Sequence, residues 1–248
     1  MASISARLGD ACIINGKDVF EAFNADLKSV TRTASDITTD FVKALGGSDI
    51  AVLNHKFGTG GVQLVFYVGS NDGAMASDGL TLQDECNANA AKLVAECSNC
   101  NIRIGDNMVE YVSVLTGYKV DETGIDGYVE AELTFAAVKR LPKRTVVANA
   151  SPYVVNNFGS ISSGMCITVN PTANIAEAVV CGVTLKNLVS GKKFVIDGLT
   201  GKVTNGDVNA FLDTDLIAFP MMGPGMNNIT FSNASMVVQV EYYPTFVM

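Results

Sequence analysis

Short runs of alternating apolar and polar residues recur along the chain and predict a protein built mainly from β-strands. The clearest run covers 128–138. Successive side chains of a strand point to opposite faces, so this alternation predicts a half-buried strand. Its polar face carries Tyr128, Glu130, Glu132 and Thr134, and its apolar face carries Val129, Ala131, Leu133 and Phe135. β-Branched and aromatic runs at 62–68 and 109–115 predict two further strands.

One segment has helical spacing. Thr81 and Asp84 have the spacing of a capping box, which marks the start of a helix. Apolar residues follow at helical intervals, namely Leu82, Cys86, Ala90, Leu93, Val94 and Cys97. We interpret this stripe as the buried side of a helix that packs on a sheet or plugs a barrel. A shorter helical turn is predicted at 20–28.

A basic, proline-containing hexapeptide at 139–144 follows the strongest strand and precedes an Asn/Ser-rich stretch. This change in composition predicts a domain boundary, with one domain at 1–142 and a second at 143–248. A nucleic-acid patch is the alternative interpretation, but the acidic background of the chain favours a solvated linker. Beyond the boundary, strands are predicted at 178–189, 192–196 and 236–243. Tight turns at Asp197-Gly198 and Asn205-Gly206 complete the pattern of a β-sandwich.

Composition narrows the possible functions. The chain has 248 residues, 48% of them hydrophobic, and a formal net charge of −8. It can therefore bury a substantial core, and its negative charge disfavours binding to a phosphate backbone. The N-terminus has no apolar core of signal-peptide length, so we expect no export signal. Uncharged stretches at 145–176 and 216–240 are interrupted by Pro, Gly and Asn, so neither is expected to span a membrane.

The six cysteines are interpreted as reduced, mostly buried thiols. Cys97 and Cys100 form a C-x-x-C pair, but no second pair accompanies them, and the single histidine, His55, lies far away in sequence. A structural zinc site usually needs four such ligands, so we expect none. A thioredoxin-like redox role would place the pair at the start of a helix, whereas here it closes one.

The chain contains no recognisable catalytic motif. Any Ser-His-Asp or Cys-His arrangement would have to use His55, and no nucleophile motif accompanies it. A glycosidase would need two carboxylates about a substrate, and Asp126, Glu130 and Glu132 are the candidates, although carboxylates on strand faces are common. Acidic residues at 197, 207, 213 and 215 are interpreted as turn caps. We therefore expect a non-enzyme without catalytic residues, cofactor or metal.

The most informative stretch is 192–247. It contains a strand, the Asp197-Gly198 turn, a return ending in Thr204-Asn205-Gly206, a loop from Phe219-Pro220 through Pro224-Gly225 to Asn227, and a last strand ending at Tyr243-Pro244. This order resembles the closing half of distal tail proteins (the Dit family) of bacteriophages with long, non-contractile tails, the siphoviruses. The N-terminal half agrees more loosely through 14–19, the strand at 63–69, the helix from Leu82 and the strand at 131–135.

The resemblance implies a mainly β (α+β) fold. Residues 1–142 would form a β-barrel-like belt domain with one packed helix, and 143–248 a galectin-like β-sandwich. The chain would be a structural protein of the virion, made in the host bacterial cytoplasm. Its belt domain would assemble into a hexameric ring in the baseplate of the viral tail, joining the tail tube protein to the tail-tip spike (tail-associated) protein. Some members grip receptor-binding proteins through a long insertion, for which 143–248 leaves little room.

Two further expectations follow. If the ring lines a DNA conduit, an acidic lumen would let DNA slide without sticking, and Asp126, Glu130 and Glu132 are predicted to face that lumen. The alternative function is a carbohydrate-binding module that recognises host cell-wall glycan through the C-terminal sandwich. Sugars usually stack on exposed aromatic rings. The chain has no Trp, so the candidates are Tyr153, Phe158, Tyr242 and Tyr243.

Overall fold

The computed structural model of the chain describes residues 7–35, 37–43, 50–70, 81–125 and 127–248. These residues are mainly β-strand, as predicted, with two α-helices. They form two compact units, one comprising Met1–Lys139 with Val247–Met248 and the other Arg140–Phe246. The division falls within the basic hexapeptide.

The first unit contains nine strands and two helices within the described ranges. In chain order they are β1 Cys12–Ile14, β2 Lys17–Asp18, α1 Val19–Phe23, β3 Ala25–Thr33, β4 Ile37–Lys43, β5 Ile50–Phe57, β6 Gly60–Gly69, α2 Leu82–Glu96, β7 Asn99–Ile104, β8 Glu110–Glu122 and β9 Tyr128–Arg140.

The main sheet of this unit is open. Its strand order is β2-β1-β7-β8-β9-β6-β3, so β2 and β3 end it. The barrel-like closure expected for this domain is therefore not observed among the described strands. The reason lies at one end of the sheet, where β2 is only two residues long. Asp18 then caps α1 by accepting a hydrogen bond from the Phe20 N–H, so the chain turns into a helix instead of continuing the sheet.

The predicted alternation of β9 is confirmed. Val129, Ala131, Leu133 and Phe135 are buried, whereas Tyr128, Glu130 and Glu132 are half-buried and Thr134 is exposed. β9 runs antiparallel to β6, with Leu133 opposite Leu64, and β6 runs antiparallel to β3. The apolar faces of these strands share one core with the buried side of α2.

The predicted helix α2 is also confirmed, and both halves of its capping box form. The Thr81 hydroxyl accepts from the Asp84 N–H, while the Asp84 carboxylate accepts from the Thr81 N–H at 3.0 Å. The helical turn predicted at 20–28 is partly wrong. α1 ends at Phe23 because Asn24 adopts a left-handed conformation (φ 47°), and β3 begins directly afterwards.

β4 and β5 form a two-stranded ribbon of their own. Their antiparallel register places Ile37 opposite Phe57 and Lys43 opposite Ile50, with a shift between Asp40 and Phe41. His55, the residue that any histidine-based catalysis would require, lies opposite Thr39 in this ribbon.

The second unit is built almost entirely from strands. They are β10 Arg144–Ala148, β11 Tyr153–Asn157, β12 Ser163–Pro171, β13 Ile175–Val180, β14 Val183–Leu188, β15 Phe194–Asp197, β16 Lys202–Asn205, β17 Val208–Asn209, β18 Met221–Met222, β19 Gly225–Ile229, β20 Met236–Tyr242 and β21 Thr245–Phe246, with a 3₁₀ turn at Phe211–Asp213.

The largest sheet of this unit has the order β10-β20-β12-β15-β16-β17, and β11–β19 and β13–β14 form separate pairs. Residues from the large sheet, such as Ile167 and Val240, share one apolar core with Leu185 of β14 and Ile229 of β19. The large sheet and the separate strand pairs therefore share one core, as the two layers of a sandwich do.

The predicted turns of this unit form, but one predicted strand is wrong. Asp197-Gly198 opens the β15–β16 connection, and Gly206 (φ 65°) lies in the β16–β17 turn. In contrast, 178–189 is not one strand, because the chain reverses at Cys181 (φ 50°) and Gly182 (φ 82°). Val180 and Val183 face each other across this tight hairpin.

Candidate assembly surface

The polar face of β9 carries two of the three acids predicted to line a lumen. Glu130 and Glu132 are both half-buried and lie opposite Tyr67 and Val65 of β6. Asp126, the third predicted acid, lies outside the described residues. The structure thus brings Glu130 and Glu132 together on one face of the sheet.

Lys28 adds a positive charge to this face. The β3–β6 register shifts between Leu27 and Ser29, so Lys28 is the additional residue of a β-bulge. Its Nζ donates to Glu130 Oε2 at 2.5 Å and lies 4.7 Å from the centroid of the Tyr67 ring. The hydrogen bond to Glu130, followed by that to Tyr67, raises the pKa of Lys28.

The other charges of this face are partly balanced as well. Gln63 Nε2 donates to Glu132 Oε1 at 2.6 Å. On β8, Lys119 Nζ pairs with Asp121 Oδ2 at 2.5 Å. The hydrogen bond to Asp121 raises the pKa of Lys119, with smaller contributions from Glu132 and Glu130. The carboxylates of Asp121, Glu130 and Glu132 therefore share this face with two ammonium groups, so its described part is only weakly acidic.

Within the described ranges, the main sheet has strand edges without a partner at β2, at β3 and along part of β8. β3 ends the strand order, although the N–H groups of Leu8 and Gly9 donate to Asp26 and cover its beginning. The third edge lies along β8, where β7 pairs only as far as Asn99 opposite Val114. Among the described residues, the remaining part of β8, 116–122, has β9 as its strand neighbour. Open edges of this kind are templates for pairing with another strand.

A shallow groove runs beside the open part of β8. Its lining comes from the flank of α2 and from β8, namely Asn87, Ala91, Val94, Ala95, Tyr118 and Val120. The Tyr118 side chain is 64% exposed, as is Ile125 in the β8–β9 connection. Apolar residues on the groove side alternate with Lys119 and Asp121 on the other side of the strand. The 116–122 edge thus combines unpaired backbone groups with an apolar surface, which is typical of a binding edge.

The aromatic residues considered for sugar binding have different environments. Tyr242 is only 1% exposed and donates to the Asn156 carbonyl at 3.4 Å, so the prediction that it stacks on a sugar is wrong. It belongs to the inward face of β20 and fills the core. The Arg144 guanidinium lies 5.3 Å from the Phe158 ring, and Arg140 lies 4.1 Å from the Tyr243 ring. Tyr153 and Phe158 are the exposed members of the set.

Of the acidic residues predicted as turn caps, Asp197 caps its own turn, whereas Asp213 and Asp215 bind residues 26 and 31 positions away. Asp197 accepts from the N–H groups of Leu199 and Thr200. Asp213 accepts from Asn187 Nδ2, and Asp215 from the Thr184 N–H. Across the described residues, no group of three or more His, Cys, Asp or Glu side chains is placed to hold a metal ion. No helix in the same residues is long and apolar enough to cross a membrane.

No family model matches the chain, and no curated protein matches it. Solved structures do. The chain is similar to the SPP1 Dit protein, described as a paradigm of hub adsorption apparatus in phages that infect Gram-positive bacteria, with a TM-score of 0.71 and 12% identity over 96% of this chain and 99% of that one. It is also similar to a chain of the phage p2 baseplate in its activated conformation with Sr (TM-score 0.51, 11% identity, 94% and 97% covered).

A second p2 baseplate structure, with Ca, gives a TM-score of 0.52 at 10% identity, covering 95% of this chain and 98% of that one. These likenesses span both units and confirm the predicted resemblance at the level of the fold. The chain has the fold of phage Dit and baseplate hub proteins.

Proposed function

We propose that this chain is the distal tail hub of a siphovirus, forming a ring that joins the tail tube to the tail-tip proteins. The observation that carries the proposal is the similarity to the SPP1 Dit hub protein, which extends over 96% of this chain and therefore over both units. Fold alone is weak grounds for function. The surface of the first unit supplies independent support.

A closed ring of identical subunits needs two different surfaces that complement each other on every subunit. The main sheet offers two such surfaces, the 29–33 edge of β3 and the 116–122 edge of β8. They lie on opposite sides of the β9–β6 pair, so pairing the β8 edge of one subunit with the β3 edge of the next would extend the sheet around a ring. The groove between α2 and Tyr118 would then be covered by the neighbour.

Within such a ring we assign Asp126, Glu130 and Glu132 to the lumen, as the sequence suggested. Lys28 and Lys119 balance part of this charge, so the lumen would be weakly rather than strongly acidic. A surface without an excess of cations offers no net attraction for phosphates, which is what passage of DNA requires. A structure of the ring that placed Glu130 and Glu132 on its outer wall would contradict this assignment.

The two domains would then have separate roles. Residues 1–142 would be the belt that forms the ring, in contact with the tail tube protein and the tail-tip spike protein. Residues 143–248 would be the galectin-like domain. The described strands of this second unit are joined by short connections, which leaves no long insertion to grip a receptor-binding protein.

The test is the oligomeric state of the purified full-length chain. Mass photometry should show a species of about six times the single-chain mass, and negative-stain images should show rings with a central hole. A chain that remains monomeric at about 100 μM, where even weak assemblies associate, would contradict the proposal. Labelling of intact virions with an antibody to the chain should place it at the tail tip.

A further inference from the structure

Cys97 and Cys100 meet at the C-terminal end of α2. Cys97 is the C-cap of the helix and Cys100 lies in β7. Both are nearly inaccessible to solvent (0% and 3% exposed), and Cys12 of β1 joins them in the same core (4% exposed). The side chains of Cys97 and Cys100 share a hydrogen bond. The two sulfur atoms are therefore already neighbours in the reduced chain.

The Asn15 side chain bridges the two residues that flank this C-x-x-C segment. Asn15 Nδ2 donates to the Glu96 carbonyl at 3.3 Å and to Glu96 Oε1 at 3.0 Å. Asn15 Oδ1 accepts from the Asn101 N–H at 3.0 Å, and the Asn15 N–H donates to the Asn101 carbonyl at 3.0 Å. Lys17, two residues after Asn15, donates from its Nζ to Glu96 Oε2 at 2.6 Å. The ends of the loop that carries both thiols are thus fixed.

The shared hydrogen bond divides the roles of the two sulfurs. It lowers the pKa of Cys100, although burial and Glu96 oppose this effect, and it raises the pKa of Cys97, as burial does. Burial also raises the pKa of Cys12 to about 12. The first proton to leave this cluster is therefore that of Cys100, because the Cys97 thiol donates to the resulting thiolate.

We propose that Cys97 and Cys100 form a preorganised dithiol that closes into a disulfide when the chain meets a small-molecule disulfide. Cys100 is only 3% exposed, so the reaction starts when β7 opens locally and admits that molecule. The Cys100 thiolate then attacks one of its sulfurs, forms a mixed disulfide and releases one thiolate. The Cys97 thiol then loses its proton, attacks the Cys100 sulfur and releases the second thiolate. The two cysteines lose two electrons and two protons, and the small disulfide is reduced to two thiols. The pair closes a helix rather than opening one, so it differs from thioredoxin-like sites.

The test uses the folded full-length chain in buffers of reduced and oxidised glutathione. As the buffer becomes more oxidising, the mass of the native chain should fall by about 2 Da, one disulfide. A peptide map after alkylation of the remaining thiols should link Cys97 to Cys100. A chain that stays fully reduced, or links Cys12 to either residue, overturns the proposal. Both readouts come from the unsubstituted protein and need no variant to fold.

Variants then test preorganisation. Asn15→Ala should lower the equilibrium constant for disulfide formation by about tenfold, because the loop ends would no longer be held together. The Cys12→Ser variant should still form the disulfide between Cys97 and Cys100. Cys166→Ser is a matched control in the second unit. Measuring the same constant for the chain unfolded in urea separates preorganisation from the intrinsic reactivity of a C-x-x-C. Equal constants in the folded and unfolded chain would overturn the proposal.

Discussion

Lys28 Nζ and Glu130 Oε2 lie 2.5 Å apart although 102 positions separate them in the chain. The contact crosses a whole strand, because β6 lies between β3 and β9. Lys28 reaches that far since it is the additional residue of a bulge, and the Tyr67 ring supports its ammonium group at 4.7 Å. One irregularity in β3 therefore sets the charge of the face that carries Glu130 and Glu132.

Removing this ion pair should have a small, salt-dependent effect. Both side chains are partly exposed, 39% for Lys28 and 32% for Glu130, so solvent screens the attraction. In a double-mutant cycle of Lys28→Gln and Glu130→Gln, the coupling measured by urea unfolding should decrease as salt is added. Because the pKa of Lys28 is raised, the ion pair contributes fully to stability below the pKa that Lys28 has in the unfolded chain. This contribution is lost as the pH rises through the pKa of Lys28 in the folded chain. A coupling unaffected by salt would contradict this account, and Lys92→Gln serves as the control.

The β13–β14 turn should be stabilised by Cys181→Asn. Cys181 has a φ of 50° and Gly182 a φ of 82°, and such two-residue hairpin turns favour Asn-Gly. A left-handed conformation is unfavourable for Cys, so Asn should raise the free energy of unfolding by about 0.5–1 kcal/mol. Cys181→Ala retains the unfavourable conformation and is the control. An equal gain from both variants would show that the benefit comes from removing the thiol.

Short sequence patterns correctly predict the structural features that depend only on neighbouring residues. The period-two alternation of β9 depends only on strand geometry, and the capping box of α2 depends on two residues three positions apart. The bulge at Lys28 depends on the register between β3 and β6, which no short segment specifies. β8 likewise extends to Glu122 through the polar segment after Leu115, because it pairs with β9.

The hairpin within 178–189 differs from the single strand that the sequence predicts, for a different reason. Val179, Cys181, Val183 and Leu185 alternate as one strand would, and Cys-Gly is not a strong turn signal. The chain nevertheless reverses there, because the pairing of β13 with β14 buries Val180 and Leu185 in the core of the second unit. Tertiary packing outweighed the local pattern.

Asp197 should stabilise the β15–β16 turn through the hydrogen bonds that its carboxylate accepts. Burial alone would raise the pKa of Asp197, but hydrogen bonds from the Thr200 hydroxyl and from the Leu199 and Thr200 N–H groups outweigh it, so the pKa is lowered. Asp197→Ala should reduce the free energy of unfolding by about 1 kcal/mol, as for the loss of a helix cap. Asp197→Asn keeps an acceptor oxygen and should lose less. Similar losses in both variants, measured by urea unfolding, would argue against the capping role.

The contact of Glu96 with Lys17 and Asn15 should weaken in acid. The Lys17 and Asn15 hydrogen bonds lower the pKa of Glu96 below its ordinary 4.5. The stabilisation by these contacts is therefore complete above the pKa that Glu96 has in the unfolded chain. It is lost as the pH falls through the pKa of Glu96 in the folded chain. Between about pH 5 and pH 3 the stability of Glu96→Gln should fall less steeply than that of the unsubstituted chain. Parallel pH profiles would show that Glu96 has the same pKa in both states.

Tyr118 is the residue whose loss should affect assembly while leaving the fold intact. Its side chain is 64% exposed in the single chain and lines the groove beside the 116–122 edge. If a neighbouring subunit covers this edge, Tyr118→Ser removes a buried aromatic contact and should raise the dissociation constant of the ring by at least about tenfold.

The matched control is Leu212→Ser, because Leu212 is 96% exposed but belongs to the second unit. In mass photometry over a dilution series, the Tyr118→Ser ring should dissociate at a higher protein concentration than the unsubstituted ring. The Leu212→Ser ring should dissociate at the same concentration as the unsubstituted ring. Circular dichroism should be unchanged in both variants. Equal dissociation of the two variants, or of neither, would mean that the ring interface does not involve the β8 edge, even if the chain forms rings.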